Sequence, residues 1–125
     1  MKLLLRVLVV LAGVLFVVLG LRWAVDPSGA AAELGMTLMD GVGRSSQIAD
    51  VGALFLSMGI MVLIGVITAQ RSWFYAPALM LALAAVFRIL AWLVHDAALV
   101  IDMILVEVVV SSLLLFTASR LSRES

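Results

Sequence analysis

Cysteine is absent from this chain of 125 residues, histidine occurs once and proline twice. The missing cysteines exclude disulfides, thiolate metal sites and cysteine nucleophiles. With His95 as the sole histidine, a histidine-based metal or haem site would need two subunits, so no metal and no cofactor is expected. Charge is scarce as well. Charged residues make up 13% of the chain, and eight basic residues balance eight acidic ones. Nothing resembles the basic stripe of a nucleic-acid binder, and no nucleic-acid partner is expected. What fills the chain instead is apolar: 66% of residues are hydrophobic, against roughly 45–50% in a soluble domain, and the mean hydropathy is +1.29.

A bilayer core of ~30 Å needs about 20 mostly apolar residues per helix. Four such stretches are present, at about 3–24, 48–69, 76–94 and 100–119. With their connections they nearly exhaust the chain, leaving one domain, 1–125, and no room for a soluble one. The fold class expected is all-α: an integral membrane four-helix bundle with a short extracytoplasmic helix in the first loop. The start, Met1-Lys2 followed by an apolar run, resembles a signal peptide. The run exceeds the ~7–15 residues of a signal core, Arg6 interrupts it and no Ala-x-Ala site closes it, so a retained helix is expected.

Asp26-Pro27-Ser28 starts the short helix: Asp26 suits the N-cap, Pro27 the first helical position, and Gly35 the stop. Its apolar residues, among them Ala31, Leu34 and Met36, suggest a piece lying on the membrane or over the bundle. Asp40-Gly41 and Gly43 break the chain again, and the second span begins near Ile48 with Ser45 or Ser46 as cap. The short links after it imply that spans two, three and four pack as antiparallel neighbours. Lys2, Arg6, Arg71, Arg120 and Arg123 gather at one end, and only Arg22 and Arg44, among five acids, at the other. Both termini are therefore expected in the cytoplasm. Trp73 and Tyr75 would mark the inner boundary, Trp23 and Trp92 the outer one.

Gly13 and Gly20 in the first span, and Gly52 and Gly59 in the second, recur seven apart. Seven residues is about two helical turns, so each pair opens one flat face where backbones can approach. Packing within the chain is the first reading and a homodimer interface the second.

Charges inside the apolar runs are costly and mark function by default. Arg88 lies about six residues inside the third span, some 9–10 Å at ~1.5 Å per residue, and Glu107 lies as deep in the fourth. The hairpin brings opposite charges to one depth, and pairing between them is expected. Asp50 is slightly shallower on the second span, Arg22 is near the end of the first, and Arg88, Trp92 and His95 share a face at i, i+4 and i+7. Asp50, Arg88, Glu107, Arg22 and His95 are the candidate ligand-binding residues, lining an outward-opening pocket partly covered by the loop between Pro27 and Gly43. Each has a plainer alternative. Asp50 also suits a first-turn carboxylate favoured by the helix dipole, the Arg88–Glu107 pair a structural clamp, His95 a loop position, and Arg22 a side chain snorkelling to headgroups.

Gly20-Leu21-Arg22 ahead of Asp26-Pro27, then Ala49-Asp50-Val51-Gly52, Phe87-Arg88 and Glu107, resemble a family of small bacterial four-helix inner-membrane proteins of unknown function, itself distantly similar to DoxX-like proteins. The resemblance covers nearly the whole chain and implies the fold and the bacterial inner membrane. It brings no established activity.

A small multidrug-type transporter has this length but needs a carboxylate within its first span, and Leu3–Ala24 contains none. Scaffolds that depend on loop cysteines are excluded. The leading expectation is a non-catalytic membrane protein that binds a lipid-like ligand or a membrane partner through the outward-facing polar pocket, with membrane lipids and a membrane protein or a second copy of the chain as its partners. A proton-coupled small-molecule transporter using Glu107 or Asp50 is one alternative. A membrane enzyme acting on a lipid, sterol-like or quinone substrate is the other.

Overall fold

The structure, a computed structural model, describes residues 2–124, with Met1 and Ser125 outside it. Five helices and no strands make up the described chain: α1 (Leu3–Val25), α2 (Pro27–Glu33), α3 (Gly41–Thr68), α4 (Ser72–Val94) and α5 (Ile101–Glu124). All but α2 are long and apolar enough to cross a membrane. The protein is an all-α bundle of four such helices with a short helix in its first loop. Its two ends are called here the loop end, which carries α2, and the terminal end, which carries residue 2 and the end of α5.

Local chemistry sets the boundaries. The Asp26 carboxylate accepts from the Gly29 N–H at 3.3 Å, and Pro27 opens α2 at a position whose N–H would be unpaired anyway. Gly35 then adopts a left-handed conformation, φ +73°. The Met36 N–H reaches Ala31 O at 2.8 Å and the Gly35 N–H reaches Ala32 O at 3.0 Å. Both are the bonds of a Schellman stop.

The second span starts at Gly41, not near Ile48. Gly41, at φ +55°, lets the chain swing into the helix, and Arg44 folds back onto Met39 O (2.9 Å) and Asp40 Oδ1 (3.1 Å). The glycines that looked like breakers thus sit inside a helix start secured by side chains. Residues Gln47–Val51 form one wide π turn within it.

The third span starts at Ser72 rather than Ala76 and runs through Pro77, whose buried ring packs with the core. The fourth runs on to Glu124. The side chain of Arg123 lies outside the described residues.

Packing divides the bundle into two antiparallel pairs, α1 with α3 and α4 with α5, which meet along a looser seam between α3 and α4 and between α1 and α5. The glycine stripes explain the first pair. A Cβ on Gly20 would lie 2.5 Å from the Leu56 nitrogen, and one on Gly59 2.6 Å from the Val17 nitrogen. Backbone touches backbone there, within the chain. The tightest neighbours are therefore spans one and two and spans three and four, not an even run from two to four.

Toward the terminal end, Val9, Val62, Val66, Phe74, Leu114 and Ala118 fill the core. At the loop end a smaller cluster gathers Trp23, Ala30 and Ala31. Trp23 was expected at the membrane boundary but is 1% exposed, because α2 folds back over it and its Cβ abuts Gly52. Trp92 and Tyr75 are exposed, while Phe74, next to Tyr75, is fully buried. The bundle's outward faces remain apolar, with Leu11, Leu79 and Phe87 among the exposed residues.

Candidate functional site: a polar contact in the seam between two helix pairs

Arg88 lies about two turns before the end of α4 and Glu107 about two turns after the start of α5. The hairpin through His95–Val100 brings them level. Arg88 Nε donates to Glu107 Oε1 at 2.6 Å. Glu107 is buried, at 8% exposed, whereas the Arg88 side chain keeps about a third of its surface, 32%. A buried carboxylate without a donor costs several kcal/mol, so this contact is what makes its position tenable. Among the described residues the guanidinium makes no other hydrogen bond, which leaves both Nη groups available. Ser111, one turn below Glu107, turns its hydroxyl to Val108 O at 3.0 Å and does not extend the contact.

Two clefts meet at this pair. A larger one of about 370 Å³ lies between α3 and α4, walled by Leu54, Met58, Met80 and Phe87 and bordered by Leu34 and Met36 of the first loop. A smaller one of about 150 Å³ lies between α1 and α5, against Leu15, Leu19, Met103 and Val106. Both share Leu34, Phe55, Leu81, Arg88 and Glu107. Phe55, stacked on Phe16 with centroids 6.1 Å apart, stands between them. Apart from Arg88 and Glu107 every lining residue is apolar. The arrangement can therefore offer one polar anchor, of two free N–H₂ groups beside a neutralised carboxylate, with apolar walls on either side.

Only two of the five candidate residues come together. Asp50 is exposed and lines neither cleft, because it sits on the π turn whose inner side is taken by Gln47 and Val51. Ser57, seven residues on, is exposed as well. Arg22 pairs with Glu33 and with Asp26, the latter at 3.7 Å, tying the end of α1 to α2. His95 ends α4 as an exposed residue and does not reach Arg88. The funnel expected from four helices is replaced by a seam site built on α4 and α5, with apolar walls from α1, α3 and the first loop.

One residue escaped the sequence reading. Gln47 is 6% exposed; its Oε1 accepts from the Met39 N–H at 2.8 Å, and its Nε2 donates to Thr37 O at 3.2 Å and contacts Met36 Sδ at 3.7 Å. It stitches the stretch Met36–Met39 to α3 and so holds Met36 at the rim of the larger cleft. A glutamine just ahead of an apolar run carries no mark of burial; only a helix start at Gly41 would have turned it inward.

Among the described residues no group of three or more His, Cys, Asp or Glu could hold a metal ion. No family model, curated protein or solved structure matches this chain.

Proposed function

We propose that this is a small non-catalytic protein of the bacterial inner membrane that holds a lipid-like amphiphile at an intramembrane Arg88–Glu107 ion pair. The observation that carries this reading is the mismatch at the seam. A guanidinium satisfied at Nε alone faces clefts that are otherwise apolar and bordered by the first loop. An oxygen-bearing headgroup would complete the guanidinium, and a hydrocarbon tail would suit the walls. The apolar core between the pair and the terminal end, with Val62, Val66, Phe74 and Leu114 buried, favours holding a ligand over passing one across the membrane.

Bacterial origin rests on the family resemblance, and orientation on charge. At the terminal end stand Lys2, Arg6, Arg71 and Arg120. At the loop end stand only Arg22 and Arg44. Both termini are therefore cytoplasmic; a reporter fused to the C-terminus and found periplasmic would overturn that orientation.

The ligand test is native mass spectrometry of protein extracted in mild detergent with total membrane lipid. The wild type retains an amphiphile that the doubly neutral variant Arg88→Gln/Glu107→Gln loses. Equal retention by a variant that still melts cooperatively would remove the binding reading and leave a structural clamp.

A further inference from the structure

At the terminal end, far from Arg88, a third cleft of about 250 Å³ runs between the first turns of α1 and the last turns of α5. Among the described residues it is lined by Leu4, Leu5, Leu8 and Phe116, with Lys2 and Arg120 as the polar side chains. Both cations stand at the edge of the apolar spans: Lys2 just precedes α1, and Arg120 is one residue from the end of the apolar stretch Ile101–Leu121. Among the described residues no carboxylate lines the cleft, and neither cation forms an ion pair. The Arg120 guanidinium sits 6.0 Å from the Phe116 ring centroid, a cation–π distance that holds it over the apolar floor. On the adjacent face of the same α1 turns, Arg6 heads a second apolar groove along Val7, Val10 and Leu11.

The geometry points to a binding site for one anionic phospholipid, its phosphate between Lys2 and Arg120 and an acyl chain along Leu4, Leu8 and Phe116. Charge complementarity selects the headgroup. Two cations over one cleft, with no ion pair among the described residues, attract a net-negative lipid more than a zwitterionic one, whose own ammonium would face them. Exposure selects the tail: Leu4 is 71% and Phe116 56% exposed, apolar surface at the depth where acyl chains begin. The site differs from the seam in kind. At the seam a carboxylate already offsets the cation, whereas here no carboxylate among the described residues lines the cleft.

The experiment presents the full-length protein in neutral detergent to dioleoyl phosphatidylglycerol and dioleoyl phosphatidylcholine at equal concentration and reads bound lipid by native mass spectrometry. At ~1 kcal/mol per basic residue and 1.4 kcal/mol per tenfold, Lys2→Gln and Arg120→Gln each lower phosphatidylglycerol retention about fivefold, and together about 25-fold. Arg120→Lys, which keeps the charge, retains most of it. Arg71→Gln, which removes a cation at the same end but outside the cleft, leaves it unchanged. In the Arg88→Gln/Glu107→Gln background the Lys2 and Arg120 losses keep their size, which separates this site from the seam. Equal retention of the two lipids, an equal loss in Arg71→Gln, or wild-type retention in the Lys2/Arg120 double variant would overturn the assignment. Displacement of the lipid by excess inorganic phosphate would do so as well, since it would make this a site for soluble phosphate.

Discussion

Replacing Gly20 or Gly59 by alanine tests how the bundle is held together. A Cβ on Gly20 would meet Leu56 at 2.5 Å from N and 2.8 Å from Cα, and one on Gly59 would meet the Val17 nitrogen at 2.6 Å and Gly13 O at 2.7 Å. Comfortable non-bonded separations are ~3.5–4.0 Å between carbons, so each methyl overlaps its neighbour by about 1 Å. The neighbours are backbone atoms, and no rotamer change relieves them; α1 and α3 must separate. Overpacking of this kind costs about 1–3 kcal/mol, from which roughly 0.5–1 kcal/mol of helix propensity gained over glycine is subtracted. The net loss expected is about 1–2 kcal/mol for either variant.

Gly13 supplies the internal comparison. Its added Cβ would meet Leu63 side-chain atoms at 2.9 and 3.0 Å and Val62 Cγ1 at 3.1 Å, and Leu63 is only partly buried, so it can turn aside. Gly13→Ala should therefore be close to neutral. One separation of α1 from α3 relieves both tight contacts, so the double variant Gly20→Ala/Gly59→Ala should lose less than the sum of its parts, with a coupling of about 1 kcal/mol. Unfolding in mixed micelles by sodium dodecyl sulfate titration, followed by far-ultraviolet circular dichroism, reads all four proteins. Losses that are additive, or no larger than that of Gly13→Ala, would show that the two backbones are not in contact.

Arg88→Met strands the buried Glu107 carboxylate, and Glu107→Leu leaves the guanidinium without its acceptor. Removing one partner of a buried pair costs about 3–5 kcal/mol, and the partial exposure of Arg88 brings the expectation to the lower end. The double variant should recover part of the loss in thermal melts, and single variants that melt like the wild type would refute the contact. Gln47→Leu keeps the volume but removes the bonds to Met39 and Thr37, worth about 1 kcal/mol each. Faster hydrogen exchange over 36–40, with little change along α4 and α5, is the expected result, and unchanged exchange there would mean the loop is held by other contacts.

The four long helices were legible because hydropathy is a local property: twenty apolar residues mark a span whatever surrounds them. The glycine stripes were legible for a similar reason, since a seven-residue recurrence fixes one face of a helix, though not the helix it meets. What escaped the sequence was decided by residues distant along the chain. Gly41 and Gly43 look like breakers until Arg44 and Gln47 fold back onto residues 37–40. Trp23 looks like a boundary aromatic until α2 covers it. Asp50 faces the bundle if the second span is drawn as a regular helix from Ile48, but the π turn at Gln47–Val51 changes its phase and turns it outward. The common level of Arg88 and Glu107 could be read because the connection between their helices is short, which ties depth on one helix to depth on the next. Arg22, near the end of its span, and His95, about two turns beyond Arg88 on its face, were expected to extend the contact, but Arg22 pairs with Glu33 and Asp26 and His95 caps the end of α4.

The position of the polar contact follows from how the two pairs close. Glycines bring α1 against α3, and α4 lies along α5, so the irregular volume of the bundle collects in the seam between pairs. Toward the terminal end, Phe74, Val62 and Leu114 fill that seam. Toward the loop end it holds Phe55, Arg88 and Glu107 together with two clefts. A leucine or phenylalanine at position 88 would have closed this space and removed the need for a buried carboxylate at 107; a structural clamp needs only the one bond between Nε and Oε1. The Nη groups then need acceptors in a setting where the protein's other lining groups are apolar, and an unpaired polar group in hydrocarbon costs several kcal/mol. Solvent or headgroup oxygen must supply those acceptors. Of the two, a headgroup would also bring hydrocarbon to cover Met58, Met80 and Phe87, which is the ground for proposing an amphiphile at the seam beyond a structural clamp between α4 and α5.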